Sequence, residues 1–185
     1  MTPKQRGQWQ KVASREIYRN AWIRVREDRV IRPDGQPGIY GVVEFEPAVG
    51  VVAITSDERV YLVGQYRYAT ECYSWEIVTG YSEAGEDQLI AAQRELREET
   101  GLVAARWTPL GTCQISNSVT NQIGYLFLAE ELDQGASFPD GTEALAVKTV
   151  PLGEALRLAQ TSILTQAFSL VGLYRAWHLL HGDLT

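Results

Sequence analysis

The chain has 185 residues, of which 45% are hydrophobic, enough for the core of one ordinary domain with a small additional subdomain. Its formal net charge of −6 at pH 7 argues against nucleic-acid polymers and anionic membranes as partners. A small phosphorylated substrate is compatible with this charge, because bound metal ions can reverse the sign of a local site.

The first elements in chain order are two predicted strands, residues 22–31 and 39–46, which flank the turn-forming segment RPDGQPG. Two β-rich runs separated by such a turn predict a hairpin. We assign residues 1–47 to an N-terminal β subdomain and residues 48–185 to the main domain. The main domain begins with predicted strands at 49–56, 59–68 and 74–78.

A helix is predicted next, in the segment GEDQLIAAQRELREETG. Acidic residues suit its first turn, and Gly101 suits its C-terminal cap. Leu89, Ala92 and Leu96 recur at helical spacing and form an apolar stripe.

Three glutamates crowd the C-terminal end of this helix, where the helix dipole disfavours negative charge. Glu95 and Glu99 are also i, i+4 neighbours on one face, and Glu98 lies beside them. A solvated acidic face is the simple alternative, but such a face would gain from lysines near the helix end, and Arg97 points away. A bound divalent cation explains the placement better, because ions such as Mg²⁺ prefer oxygen ligands.

The segment around this helix resembles the Nudix box. Its fixed positions are matched at the expected spacing by Gly80, Glu86, Arg94, Glu95, Leu96, Glu98, Glu99, Gly101 and Leu102. The resemblance implies an α/β fold, the Nudix α/β/α sandwich with a mixed sheet. It also implies Mg²⁺-dependent hydrolysis of a nucleoside diphosphate linked to another moiety, with Mn²⁺ as a second candidate metal.

After the helix, strands are predicted at residues 106–116, 122–132 and 144–150, followed by helices at 151–160 and 164–180. The segment LVGQYRYA, followed by WEIVTG, is similar to the ADP-ribose pyrophosphatase branch of the Nudix superfamily. That resemblance implies a homodimer in which N-terminal strands are exchanged and complete each active site. The chain departs from the branch at Val78-Thr79, where Pro-Ala is usual, and at QISNSVTN, where a proline–glycine pair is usual.

By this resemblance, Glu95, Glu98 and Glu99 bind the metal, with the main-chain carbonyl of Thr79 as a further ligand. Arg94 is expected to hold glutamates in position, and its alternative is a surface residue. The base that activates water is expected to be Glu143, in the acidic loop before the last strand, with Glu98 as its competitor and Asp140 as a weaker one.

Substrate contacts are expected from residues outside the box. A guanidinium suits phosphate or ribose oxygens, so Arg67 is a candidate, with a sheet-edge salt bridge as the alternative. Trp22 is expected to stack on the base across the dimer, unless it is a packing residue. Asn117 and Ser118 offer amide and hydroxyl groups to a terminal sugar, unless their segment is only a polar turn.

These expectations define a hydrolase of nucleoside diphosphate sugars, of ADP-ribose, ADP-glucose or GDP-mannose type, yielding a nucleoside monophosphate and a sugar phosphate. A house-cleaning enzyme for oxidised nucleoside triphosphates and a non-catalytic nucleotide-sugar sensor are the alternatives. Residues 1–10 lack the apolar segment of a signal peptide, so we expect a cytoplasmic protein. Cys72 and Cys113 are expected to be reduced, buried thiols.

Overall fold

The structure is a computed structural model that describes residues 4–135 and 145–182. No helix in these two ranges is long and apolar enough to span a membrane. The elements in chain order are β1 (Lys4–Arg6), β2 (Trp9–Arg19), β3 (Arg24–Ile31), β4 (Pro37–Glu44), β5 (Ala48–Ala53), β6 (Arg59–Arg67), β7 (Cys72–Glu76), β8 (Val78–Tyr81), α1 (Gln88–Thr100), β9 (Leu102–Gln114), β10 (Ile123–Gln134), β11 (Ala146–Pro151), α2 (Leu152–Gln160) and α3 (Ala167–His181).

The first compact unit contains the residues up to Glu46 together with Gln114–Gln122. Its sheet has the order β1-β2-β3-β4, and each pair of neighbours is antiparallel. Strands β3 and β4 form the predicted hairpin, with Arg24 opposite Glu44 and Ile31 opposite Pro37. The sequence pattern does not predict β2, whose 11 residues are half-buried or exposed. Residues 114–122, which lie in the expected main domain, bond to β4 through a bridge between Val43 and Thr120.

A buried ion cluster links three strands of this sheet. Asp28 on β3 accepts hydrogen bonds from Ser14 and Arg26 and forms an ion pair with Lys11 at 3.3 Å. Arg26 also donates to Glu44 at 2.8 Å. Burial alone would raise the pKa of the Asp28 carboxyl, but the hydrogen bonds from Arg26 and Ser14 hold that pKa below its usual value.

The second compact unit contains Pro47–Cys113 and Ile123–Thr185. One of its sheets has the order β8-β5-β10-β9 and the other has the order β11-β6-β7. Strand β10 is parallel to β5, while β8 is antiparallel to β5, so the predicted mixed sheet is confirmed.

Helices cover both faces of the central sheet, because the side chains of β5 alternate between them. Val49 and Val51 pack in one buried cluster with Ala92 and Leu96 of α1. Val52 packs in a second cluster with residues of α2 and α3. The predicted α/β/α sandwich is therefore confirmed.

Helix α1 ends at Gly101 as its sequence predicts, but it begins at Gln88, so no acidic residue lies in its first turn and Asp87 is its N-cap. The Asp87 carboxylate accepts hydrogen bonds from the main-chain N–H groups of Leu89 and Ile90, at 2.9 and 3.3 Å. At the other end Gly101 has a φ of 72°, and its N–H donates to the carbonyl of Arg97. An aspartate N-cap and a left-handed glycine satisfy main-chain groups that a helix end would otherwise leave unpaired.

The prediction of two buried thiols is wrong for Cys72, which is exposed, whereas Cys113 is half-buried. Cys72 lies opposite Arg67 at the turn end of the β6–β7 hairpin, next to the connecting 3-10 turn, Tyr68–Thr70. A residue at the tip of a hairpin has few neighbours to cover it. Burial raises the pKa of the Cys113 thiol.

The break between β7 and β8 is held by a buried serine of α3. The N–H of Ile77 donates to the Ser169 hydroxyl at 2.9 Å, and that hydroxyl donates to Gln166 at 2.8 Å. Ser169 is fully buried, so this N–H has no access to water in place of the serine. This hydrogen bond fixes the residue that precedes β8 to helix α3, and β8 leads directly into the box.

We expect Ser169→Ala to lower the free energy of unfolding by roughly 1–3 kcal/mol, because it leaves a buried N–H group without its acceptor. Urea unfolding followed by circular dichroism measures the change. Ser56→Ala is the control, since Ser56 is exposed in the turn between β5 and β6. The control is expected to stay within about 0.5 kcal/mol of the wild type. Equal effects in the two variants would contradict this assignment.

Candidate active site

The box glutamates lie at the edge of the α1 face that packs on the sheet. Ala91, Ala92 and Leu96 are buried against the strands. The side chains of Glu95 and Glu98 retain 14% and 37% of their exposure, so both border solvent. The helix therefore presents its acidic arc beside its apolar stripe, as its spacing predicts.

Arg94 connects the acidic residues of the box through its guanidinium. The Nη1 atom donates to Glu95 at 2.7 Å and to Glu98 at 3.1 Å. The Nε and Nη2 atoms donate to the two carboxylate oxygens of Glu86 at 3.2 and 3.0 Å. Nη2 also donates to the main-chain carbonyl of Tyr81 at 2.9 Å, which fixes the guanidinium to the end of β8. A planar, five-donor group is suited to this forked arrangement.

The ion pairs shift the titration of both partners. The hydrogen bond from Arg94 lowers the pKa of the Glu86 carboxyl, and a main-chain hydrogen bond at Glu83 lowers it further. Hydrogen bonds to Glu86 and Glu95 raise the pKa of Arg94, against the opposing effect of its own burial. Arg94 is therefore positively charged at any pH at which the protein is folded.

Gly80 makes room for Glu95 beside strand β8. A Cβ atom built on Gly80 would lie 1.9 Å from Cδ of Glu95, far inside van der Waals contact. Strand β8 is held against β5, where Thr79 is opposite Gly50 and Gly80 is opposite Val49, so its backbone has little freedom to move. A side chain at the first glycine of the box would thus displace the Glu95 carboxylate from its present position.

The donors gathered here fit a hard divalent cation. They are carboxylate oxygens, which Mg²⁺ prefers as ligands. Thr79, whose main-chain carbonyl is the further expected ligand, lies on β8 next to Gly80. The Oε2 atom of Glu99 is buried, and Gly80 clears the space in which the Glu95 carboxylate lies. In the part of the chain that the structure describes, no three His, Cys, Asp or Glu side chains already converge on one metal position. Binding of one ion by the three glutamates therefore requires the carboxylates of Glu95 and Glu98 to turn from Arg94 towards a position shared with Glu99.

Arg67 lies on β6 and pairs with Glu76, a carboxylate that was not among the predicted site residues. Its Nε atom donates to Glu76 on β7 at 3.0 Å, and its Nη2 atom donates to the other oxygen at 2.5 Å. Glu76 is buried to 2% exposure, while the Arg67 side chain keeps 38%. A charged residue inside the apolar run SWEIV was the available signal, because a buried carboxylate needs a cationic partner.

The other predicted substrate contacts belong to the first compact unit. Trp22 is 74% exposed in the turn between β2 and β3, where the Asn20 side chain accepts hydrogen bonds from the N–H groups of Trp22 and Ile23. Asn117 and Ser118 are exposed in the segment that follows β9. Glu143, the predicted base, and its weaker competitor Asp140 lie outside the described residues.

We expect Gly80→Ala to displace the Glu95 carboxylate and to weaken Mn²⁺ binding by about tenfold or more, the range typical of a disturbed ligand shell. Titration of Mn²⁺ followed by electron paramagnetic resonance measures this affinity. Gly153→Ala is the matched control, because a Cβ on Gly153 would meet no atom within 4 Å. Unchanged Mn²⁺ affinity in Gly80→Ala would contradict the role given to this glycine.

Comparison with known families gives two matches that together span most of the chain. Residues 9–43 match the Nucleoside diphosphate sugar hydrolase N-terminal domain, and residues 44–168 match the NUDIX domain. A crystal structure described as an ADP compounds hydrolase matches with a TM-score of 0.83 and 23% identity. The match covers 97% of this chain and 98% of that one, which supports the same fold.

Curated relatives cover similar lengths. The ADP-ribose pyrophosphatase of Bacillus subtilis is 32% identical over 81% of this chain and 82% of its own. The methanol dehydrogenase activator of Bacillus methanolicus is 31% identical over 79% and 80%. The ADP-ribose pyrophosphatase of Mycobacterium tuberculosis is 28% identical over 88% and 80%.

Nudix hydrolases generally act with divalent metal ions, in agreement with the oxygen donors gathered around α1. The chain belongs to the Nudix hydrolases, in the branch that contains the ADP-ribose pyrophosphatases, and is a Nudix pyrophosphohydrolase.

Proposed function

We propose that this protein hydrolyses the pyrophosphate bond of nucleoside diphosphate sugars and requires Mg²⁺. The observation that carries the proposal is the box itself, in which Arg94 gathers Glu86, Glu95 and Glu98 while Gly80 admits the Glu95 carboxylate. The match of residues 9–43 to an N-terminal domain of nucleoside diphosphate sugar hydrolases supports the substrate class.

The Mg²⁺ would be held by Glu95, Glu98 and Glu99 with the Thr79 carbonyl, and it would supply positive charge to the pyrophosphate oxygens. The attacking water forms a bond to one phosphorus, and the bridging P–O bond breaks. The products are a nucleoside monophosphate and a sugar phosphate. Glu143 takes the proton from the water, and Glu98 is the competing base.

The remaining residues bind and orient the substrate. Arg67 contacts a phosphate or ribose oxygen, with its guanidinium held in one orientation by the buried Glu76. Trp22 stacks on the base, which its exposure permits. The amide of Asn117 and the hydroxyl of Ser118 bond to hydroxyls of the terminal sugar.

A hydrolysis panel tests the proposal, with nucleoside diphosphate sugars, dinucleotides and nucleoside triphosphates as substrates and with the products identified. Because the polar 116–121 segment suits several hydroxyl patterns, we expect ADP-ribose, ADP-glucose and GDP-mannose to be hydrolysed with comparable kcat/KM. A preference for ADP-ribose of about a hundredfold or more, some 2.7 kcal/mol, would contradict this breadth. Efficient release of pyrophosphate from a triphosphate would favour the house-cleaning alternative.

Substitution of the metal ligands gives the second test. We expect activity in Glu95→Gln and in Glu99→Gln to fall by orders of magnitude, and excess EDTA to abolish the activity of the wild type. The metal-free variants are expected to be no less stable than the wild type, because each removes a negative charge from a helix C-terminus. Full activity in Glu99→Gln would overturn the metal assignment. In the same assay, loss of turnover in Glu98→Gln with retention in Glu143→Gln would move the base to the helix.

We also propose that the protein is a homodimer, whose interface is built largely from residues 1–50. Within the described part of that region, apolar side chains including Ile17, Trp22 and Ile39 are more than half exposed, and a small sheet buries such surface poorly by itself. Size-exclusion chromatography with light scattering should give about twice the 20.7 kDa of one chain. A monomer at micromolar concentration would contradict the dimer and the stacking role of Trp22 across it.

A further inference from the structure

The polar segment proposed to meet the sugar, residues 116–121, is bonded to strand β4 along its main chain. The N–H of Val43 donates to the carbonyl of Val119 at 2.9 Å, and the N–H of Asn121 donates to the carbonyl of Val43 at 3.4 Å. Within the segment, the carbonyl of Ser116 accepts from the N–H groups of Val119 and Thr120 at 3.1 and 2.9 Å. These bonds fold 116–121 into a turn that lies along β4.

Two side-chain hydrogen bonds hold this turn against neighbouring residues, one at Ser118 in its middle and one at Asn121 at its end. The hydroxyl of Tyr40 on β4 donates to the carbonyl of Ser118 at 2.7 Å. The amide oxygen of Asn121 accepts from the N–H of Phe45 at 2.9 Å. The Tyr40 ring packs edge-to-face on Trp9, with 5.3 Å between ring centroids, so the direction of its hydroxyl is fixed.

Tyr40 bonds to a main-chain carbonyl of the turn and Asn121 bonds through its own side chain, so neither bond uses the side chains of Asn117 and Ser118, which are exposed. We propose that Tyr40 and Asn121 are positioning residues for sugar specificity, because they hold Asn117 and Ser118 in one conformation before substrate binds. The inference rests on the proposed function, which assigns these two side chains to the sugar. A turn that is already ordered loses less conformational entropy when substrate binds, and this smaller cost lowers KM.

The experiment compares Tyr40→Phe and Asn121→Ala with the wild type on ADP-glucose, ADP-ribose and an alkyl ester of ADP, which has no terminal sugar. Tyr40→Phe keeps the ring against Trp9 and removes only the hydroxyl. Asn121→Asp is the conservative partner, because it keeps an oxygen acceptor for the Phe45 N–H. Tyr18→Phe is the control, since Tyr18 is an exposed tyrosine of β2 on the same sheet. Hydrogen exchange of residues 114–122 is measured in each variant without substrate.

For Tyr40→Phe and Asn121→Ala we expect KM for ADP-glucose and ADP-ribose to rise about threefold to tenfold. A change of this size corresponds to the free energy of one hydrogen bond. Their kcat and the KM for the alkyl ester should stay near the wild-type values, while exchange of 114–122 becomes faster. Asn121→Asp and Tyr18→Phe should resemble the wild type in all four readouts.

Unchanged KM for both sugars in Tyr40→Phe overturns the inference, even if exchange becomes faster. An equal rise in KM for the alkyl ester overturns it too, because the effect would then be general. If the wild type hydrolyses the alkyl ester but neither sugar, the proposed substrate class fails. That outcome is visible in the wild type alone and is thus distinct from failure of the positioning role.

Discussion

The guanidinium of Arg94 holds the acidic face of the box together. A helix C-terminus repels carboxylates, and three of them crowd the last two turns of α1. Arg94 bonds to Glu95 and Glu98 on its own helix and to Glu86 before the helix, so one cation offsets repulsion from two directions. Arg94 also donates to the Tyr81 carbonyl at the end of β8, so the position of the cluster is fixed relative to the sheet as well as to the helix.

Strand β8 connects the Arg94 cluster to the buried core, because it carries Tyr81 and pairs with β5. Gly80 lies opposite Val49, a fully buried residue of β5, and the preceding break at Ile77 is bonded to Ser169 of α3. The strand that carries the Thr79 carbonyl is therefore fixed by β5 on one side and by a helix of the opposite layer. The observed position of the Glu95 carboxylate also depends on the absence of a side chain at Gly80, since a Cβ there would occupy the same place.

The sequence predicted well what depends on local chemistry. Helix α1, with the Asp87 cap and the left-handed Gly101, follows from short-range rules, and so does the β3–β4 hairpin. It predicted poorly what depends on distant pairing. Strand β2 is polar and largely exposed, so its sequence has no strong hydrophobic period to detect. Its extended form depends on antiparallel pairing with β3.

The same limit applies to the site. Tyr40 and Ser118 are 78 residues apart, and no local pattern connects them. Glu76 and Arg67 are separated by only 9 residues, but their meeting depends on the β6–β7 register. The residues assigned to the chemistry, on α1 and β8, belong to the second compact unit, whereas Trp22, Asn117 and Ser118 belong to the first. The fixed positions of the box and the 116–121 segment, where the chain departs from its branch, thus lie in different compact units.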